Sequence, residues 1–90
     1  MASSQKPFRV PEFRLEKMDN EMLLFNSKTT HVLYLNESAS VIWQLCDGKR
    51  SVDEIIDLLA GTYPEAAASI RSDVHETIEL FLTNQAIQLV

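Results

Sequence analysis

Ninety residues, 46% hydrophobic and 23% charged, specify one globular domain with a modest core and exclude a chain that is disordered throughout. No apolar run nears the roughly 20 residues of a membrane-spanning helix, and the single cysteine excludes an internal disulfide. The net charge of −5 is uneven: residues 1–28 hold five basic groups against four acidic, residues 29–90 three against nine, which sets the second part against polyanions such as nucleic acid.

Residues 1–9 are polar, without period, and read as a flexible N-terminal tail ahead of a domain at 10–90. Met1 to Pro7 has no hydrophobic segment of the secretory type, so the expected compartment is the cytoplasm. From Phe13 to Met18, apolar Phe13 and Leu15 alternate with Arg14 and Glu16, as in a half-buried strand. Asp19-Asn20 supplies a turn, Met22 to Phe25 a second strand, and Asn26-Ser27-Lys28 another turn. Thr29 to Leu35 is rich in β-branched and aromatic residues and reads as a third strand. Turns this short leave no room for a crossover helix, so the three strands form an antiparallel meander.

Asn36 is a good N-cap, with Leu35 before it able to staple onto the helix. Ala39, Ile42, Trp43 and Cys46 then recur at helical spacing, and Gly48 falls where a helix end favours positive φ. Ser51 and Glu54 form a capping box for a second helix with Val52, Ile55, Ile56 and Leu59 as its core stripe. Gly61 and Pro64 are expected to end it. A third helix spans about Ala68 to Asn84, its stripe Ile70, Val74, Ile78, Phe81 and Leu82, and Ala86 to Val90 closes the chain as an extended piece. The expected fold is α+β: a small winged helix-turn-helix-like domain, with a three-stranded antiparallel sheet followed by three helices.

Catalytic chemistry finds little support. His75 has Asp73, Glu76 and Glu79 near it, but no Cys or second nearby His completes a metal site, and a solvated acidic helix face explains the group. Cys46 falls on an apolar face and reads as a small buried hydrophobe, and Trp43 as core. With only Gly48 and Gly61, no glycine-rich phosphate loop exists, and no Ser/His/Asp arrangement is visible. The chain is read as a non-enzyme without cofactor or metal. A winged-helix shape makes DNA binding the rival, yet the third helix sets Arg71 and His75 against Asp73, Glu76 and Glu79, which repels phosphate.

Leu35-Asn36, Ala39, Cys46-Asp47-Gly48, Ser51-Val52 and Glu54-Ile55 together resemble the PqqD-type peptide chaperones, the stand-alone recognition elements of ribosomally made, modified peptides. The resemblance covers about residues 10–90; Val10-Pro11 with Arg14-Leu15 looks like the family's opening strand, and Glu12 stands where the family often has glycine. It implies a non-catalytic adaptor that binds the leader of a precursor peptide and presents it to a modifying enzyme, often a radical SAM enzyme. The leader would add a strand beside the third strand, with its apolar side chains in the groove to the third helix.

The residues themselves point the same way. Thr30, His31, Val32, Leu33 and Tyr34 form a strand edge without the lysine, proline or bulge that usually blunts one, and so suit β-augmentation. The helix side of the expected site comprises Asp73, Val74, Thr77, Leu80 and Phe81, with Leu80 standing off the core stripe on the side of Asp73, Thr77 and Asn84. Pockets lined by Val32, Tyr34, Val74, Thr77 and Leu80 would give specificity. Strand alternation turns either Thr30, Val32 and Tyr34 or His31, Leu33 and Leu35 towards the helices. Arg9, Arg14 and Lys28 are available to steer an acidic leader, or serve as scattered solubilising charge. Two other classes stand beside this reading: a structural module whose strand edges pair into a homodimer, and a diverged winged-helix DNA-binding protein.

Overall fold

The computed structural model describes residues 4–19 and 21–90. In chain order it has β1 (Pro7–Arg9), β2 (Phe13–Met18), β3 (Glu21–Asn26), β4 (Val32–Leu35), α1 (Glu37–Leu45), α2 (Val52–Thr62), a 3-10 turn (Pro64–Ala66), α3 (Ala67–Thr83) and β5 (Ile87–Leu89). Strands β2, β3 and β4 form an antiparallel sheet in that order, so β2 and β4 are its edges. Three helices follow. The α+β architecture is the one expected.

Strand alternation builds the core. Leu15, Leu24 and Leu33 stand in one cross-strand row, and Leu24 is fully buried beneath Trp43, Ile55, Val74, Ile78 and Phe81 of the helices. Trp43 sits between two rings, edge-on to Phe13 at 6.4 Å and to Phe81 at 5.4 Å between centroids, a geometry the aromatic quadrupole favours. Helix α1 starts where Asn36 Oδ1 accepts from Ala39 N–H at 2.8 Å. At α2 the reciprocal capping box is complete: Ser51 Oγ accepts from Glu54 N–H at 3.1 Å, and Glu54 Oε1 from Ser51 N–H at 2.9 Å.

Four expectations are corrected. Residues 6–9 are not a flexible tail: β1 pairs antiparallel with β5, Pro7 is fully buried, and Lys6 and Val90 exchange two 2.8 Å backbone bonds. Period-based reading missed this because three residues are too few to show a period. Val10-Pro11 is not strand, since β2 opens at Phe13 after a turn. The third strand is shorter than 29–35, because Asn26 Oδ1 draws Lys28 and Thr29 N–H into a turn and Thr30 takes φ 56°. Helix α2 runs through Gly61 to Thr62, and Pro64 opens the 3-10 turn that leads into α3. The expected turn at Asp19-Asn20 shows Asp19 at φ 53°; Asn20 lies outside the described residues.

Candidate functional site

Of the two edges, β2 carries charged Arg14, Glu16 and Lys17, which discourages pairing, whereas β4 reads Val-Leu-Tyr-Leu. Asn26 N–H donates to His31 C=O at 2.9 Å, so 26 and 31 are a hydrogen-bonded pair. Such pairs alternate along an antiparallel ladder, which makes Leu24–Leu33 and Met22–Leu35 the next ones. Val32 and Tyr34 therefore direct their N–H and C=O groups away from β3, to the open edge.

The same alternation settles the faces. Leu35 is buried and Leu33 half-buried against the core, while Val32 and Tyr34 are 37% and 71% exposed. Val32 stands beside Phe25, and Tyr34 beside Leu23, on the outer face of the sheet. His31, Leu33 and Leu35 are thus the helix-facing set. The side chains of Val32 and Tyr34 do not line a pocket towards α3, as had been expected; their backbone carries the edge.

Across from β4, α3 turns Ile70, Val74, Ile78 and Phe81 inward. Its adjoining stripe at helical spacing is Asp73, Thr77, Leu80 and the C-cap Asn84. Asn84 Oδ1 meets His31 Nε2 at 2.9 Å, which places that stripe alongside the approach to β4. Beyond the far ends of both elements, Asn36, just after β4, and Ala66, just before α3, line one cavity. Strand and helix therefore run antiparallel, His31 meeting Asn84 at one end and Asn36 sharing a cavity with Ala66 at the other.

Asp73 is exposed, Thr77 half-buried and Leu80 42% exposed, so these three remain accessible on the side of α3 that ends at Asn84. Val74 and Phe81 are fully buried: they are core, as their place in the helix stripe has it, and not the contact residues also expected of them. Thr30 belongs to the turn, its Oγ donating to Thr29 C=O at 2.6 Å. Asn84 was missed as a site residue although it shares the stripe of Leu80; its contact with His31 spans 53 residues and leaves no local signal.

The three cations weighed as steering or solubilising charge each have a partner within the chain. Arg9 Nη1 donates to Gln44 C=O at 2.7 Å and Trp43 C=O at 3.3 Å, closing the end of α1. Lys28 pairs with Glu12 at 3.6 Å and Arg14 with Glu16 at 3.7 Å. Burial pushes the Cys46 thiol up to about 12 against the opposing pull of Arg9, so the thiolate a nucleophile needs is scarce at neutral pH. Among the described residues, no group of three or more His, Cys, Asp or Glu side chains is gathered to hold a metal. No helix among them is long and apolar enough to cross a membrane.

Comparison with known proteins adds three findings. A family model described as coenzyme PQQ synthesis protein D (PqqD) matches residues 21–87. A protein of Methylococcus capsulatus (strain Bath), named PqqA binding protein, is 40% identical over 53 residues, 59% of this chain and 55% of that protein. The match thus spans about half the length of that curated relative. A solved structure, TbiB1 in complex with the TbiA(beta) leader peptide, superposes with a TM-score of 0.72 over 90% of this chain and 94% of that one. Its 17% identity makes the likeness one of fold.

Proposed function

This chain belongs to the PqqD family, and from that premise we propose that it is a non-catalytic, cytoplasmic adaptor that binds the leader of a ribosomally made precursor peptide. The single observation that carries the reading is the open edge of β4, where Val32 and Tyr34 offer N–H and C=O groups to an incoming strand. The names of the PqqA-binding relative and of the leader-bound structural neighbour support it.

A peptide added to β4 alternates its side chains as any strand does. Half enter the groove against His31, Leu33, Thr77 and Leu80; the other half extend the outer row of Phe25, Leu23, Val32 and Tyr34. Main-chain hydrogen bonds give affinity in this mode, and the groove gives the choice of sequence. The bound precursor is then presented to a modifying enzyme, in our reading a radical SAM enzyme.

Amide NMR of the labelled protein, titrated with the precursor peptide encoded beside its gene, tests the proposal. Saturable shifts concentrated on residues 32–35 and 73–84 are expected at micromolar peptide. If saturating peptide moves no resonances while sedimentation shows the protein pairing with itself, the edge serves a homodimer and the proposal fails.

A further inference from the structure

The two ends of the groove differ in chemistry. At the His31–Asn84 end a recess of about 580 Å³ has a mixed, mostly polar lining, in which Glu12, Asn26, Lys28, Gln85 and Gln88 outnumber the apolar Val10, Phe13, Leu82 and Ile87. The opposite end opens into a recess of about 550 Å³ between the start of α1, the end of α2 and the 3-10 turn. Its walls are Val41, Leu59, Tyr63 and Ala66, and its mouth is Asn36, Glu37 and Ser38, the first residues after β4. The chain passes from the end of β4 directly into its rim.

The recess is not built for an anion. Asn36 Oδ1 already accepts from Ala39 N–H at 2.8 Å and from Ser38 Oγ at 3.1 Å, and Glu37 brings negative charge to the mouth. What remains unpartnered is its hydrocarbon lining, with Tyr63 48% exposed and Leu59 nearly covered. An edge of four residues with two outward-facing N–H groups also holds a flexible peptide weakly, because ordering the peptide offsets much of the hydrogen bonding. Burial of an apolar side chain beyond the edge supplies what the edge lacks.

We propose that this recess is a second specificity site, which takes an aliphatic or aromatic side chain of the bound peptide from the segment flanking the added strand. The inference rests on the peptide-binding reading above. Every pairing in this sheet is antiparallel; a strand added in the same sense has its N-terminal side at Leu35. The anchoring residue is then upstream of the added strand, two or three residues on at about 3.3 Å each.

The test uses the full protein and two synthetic peptides: the precursor encoded beside its gene, and the same peptide cut short on its N-terminal side to the strand-forming segment. Ala66→Phe fills the recess from a half-exposed position without touching β4. Full-length peptide is expected to bind this variant about 10-fold more weakly than the parent, the order expected for losing one buried aliphatic side chain. The shortened peptide is expected to bind both proteins equally, and to bind the parent about as weakly as the full-length peptide binds the variant. Unchanged affinity of Ala66→Phe for the full-length peptide, or an equal loss for both peptides, overturns the assignment.

Isotope-filtered NOEs on the unmutated protein give a readout that does not depend on how the variant folds. Contacts from an upstream apolar side chain to the Val41 and Leu59 methyls are expected; their absence, or contacts from a downstream residue, overturns it. Failure of the underlying reading looks different: neither peptide would move the amides of residues 32–35.

Discussion

The ring of Phe8 lies against Gly48 so closely that a Cβ on Gly48 would stand 2.8 Å from Phe8 Cδ2. Gly48 also holds φ 78°, and its N–H donates to Pro7 C=O at 2.8 Å. The glycine therefore does two things at once: it takes the left-handed backbone and lets β1 pass over the link between α1 and α2. Gly48→Ala is expected to destabilise the fold by about 2 kcal/mol, from the backbone strain and the contact together. Thermal unfolding checks this as a fall of roughly 10 °C. Phe8→Ala in the same chain should return the part due to the ring, and a double-mutant cycle measures it.

Removal of residues 1–9 tests the N-terminal strand. It loses the buried Pro7 and the bonds Val52 N–H to Gln5 C=O, Arg9 N–H to Cys46 C=O, Gly48 N–H to Pro7 C=O and both Lys6–Val90 bonds. At about 1 kcal/mol for each net hydrogen bond, the expected loss is at least about 3 kcal/mol, read from the urea midpoint. A truncation that leaves the midpoint unchanged refutes the role given to β1.

Tyr34→Pro separates the open edge from the sheet. The Tyr34 N–H points outward, so proline there removes a donor offered to a peptide and leaves the ladder to β3 intact. Affinity for the precursor peptide is expected to fall about 10-fold, one charge-free hydrogen bond of about 1.4 kcal/mol, with little change in melting temperature. Leu33→Pro, which removes a ladder bond to β3, should lower the melting temperature instead. Calorimetric titration and melting curves of both variants distinguish the two outcomes.

Acid should weaken the fold through two carboxylates. Backbone and side-chain hydrogen bonds from Ser51 hold Glu54 below its ordinary 4.5, and the Lys49 N–H, followed by Arg50, holds Asp47 below 3.8. Folding therefore favours the ionised forms. Their contribution is complete above the ordinary values and is lost as the pH falls through the lower folded ones. Stability measured from pH 6 down to pH 2 should decline below about pH 4.5, and Glu54→Gln should flatten the upper part of that decline while lowering stability at neutral pH.

Local chemistry was legible wherever one residue acts on near neighbours. Asn36 and Ser51-Glu54 cap the helices foreseen for them, because a cap needs only the next three residues. The span of β2 and the inward stripe Ile70, Val74, Ile78 and Phe81 follow from periods of two and 3.6. The same logic marked Val32 to Tyr34 as an unblunted edge, and put Leu80 on a stripe of its own.

What escaped has one cause: partners far apart in sequence leave no mark on each other's surroundings. Pro7–Arg9 is a strand only because Ile87–Leu89 lies beside it. Arg9 is a helix cap only because α1 ends within its reach. The phase of β4 was open until the register to β3 turned Leu33 inward and Val32 and Tyr34 outward, since alternation gives two faces without saying which is covered. Sequence by itself determined strands β2 to β4, the three helices, their order and the unblunted character of β4. Tertiary structure decided that Leu33 faces the helices, that His31 and Asn84 meet, and that an apolar recess opens between the ends of α1 and α2, because each depends on elements that meet only when the chain has closed on itself.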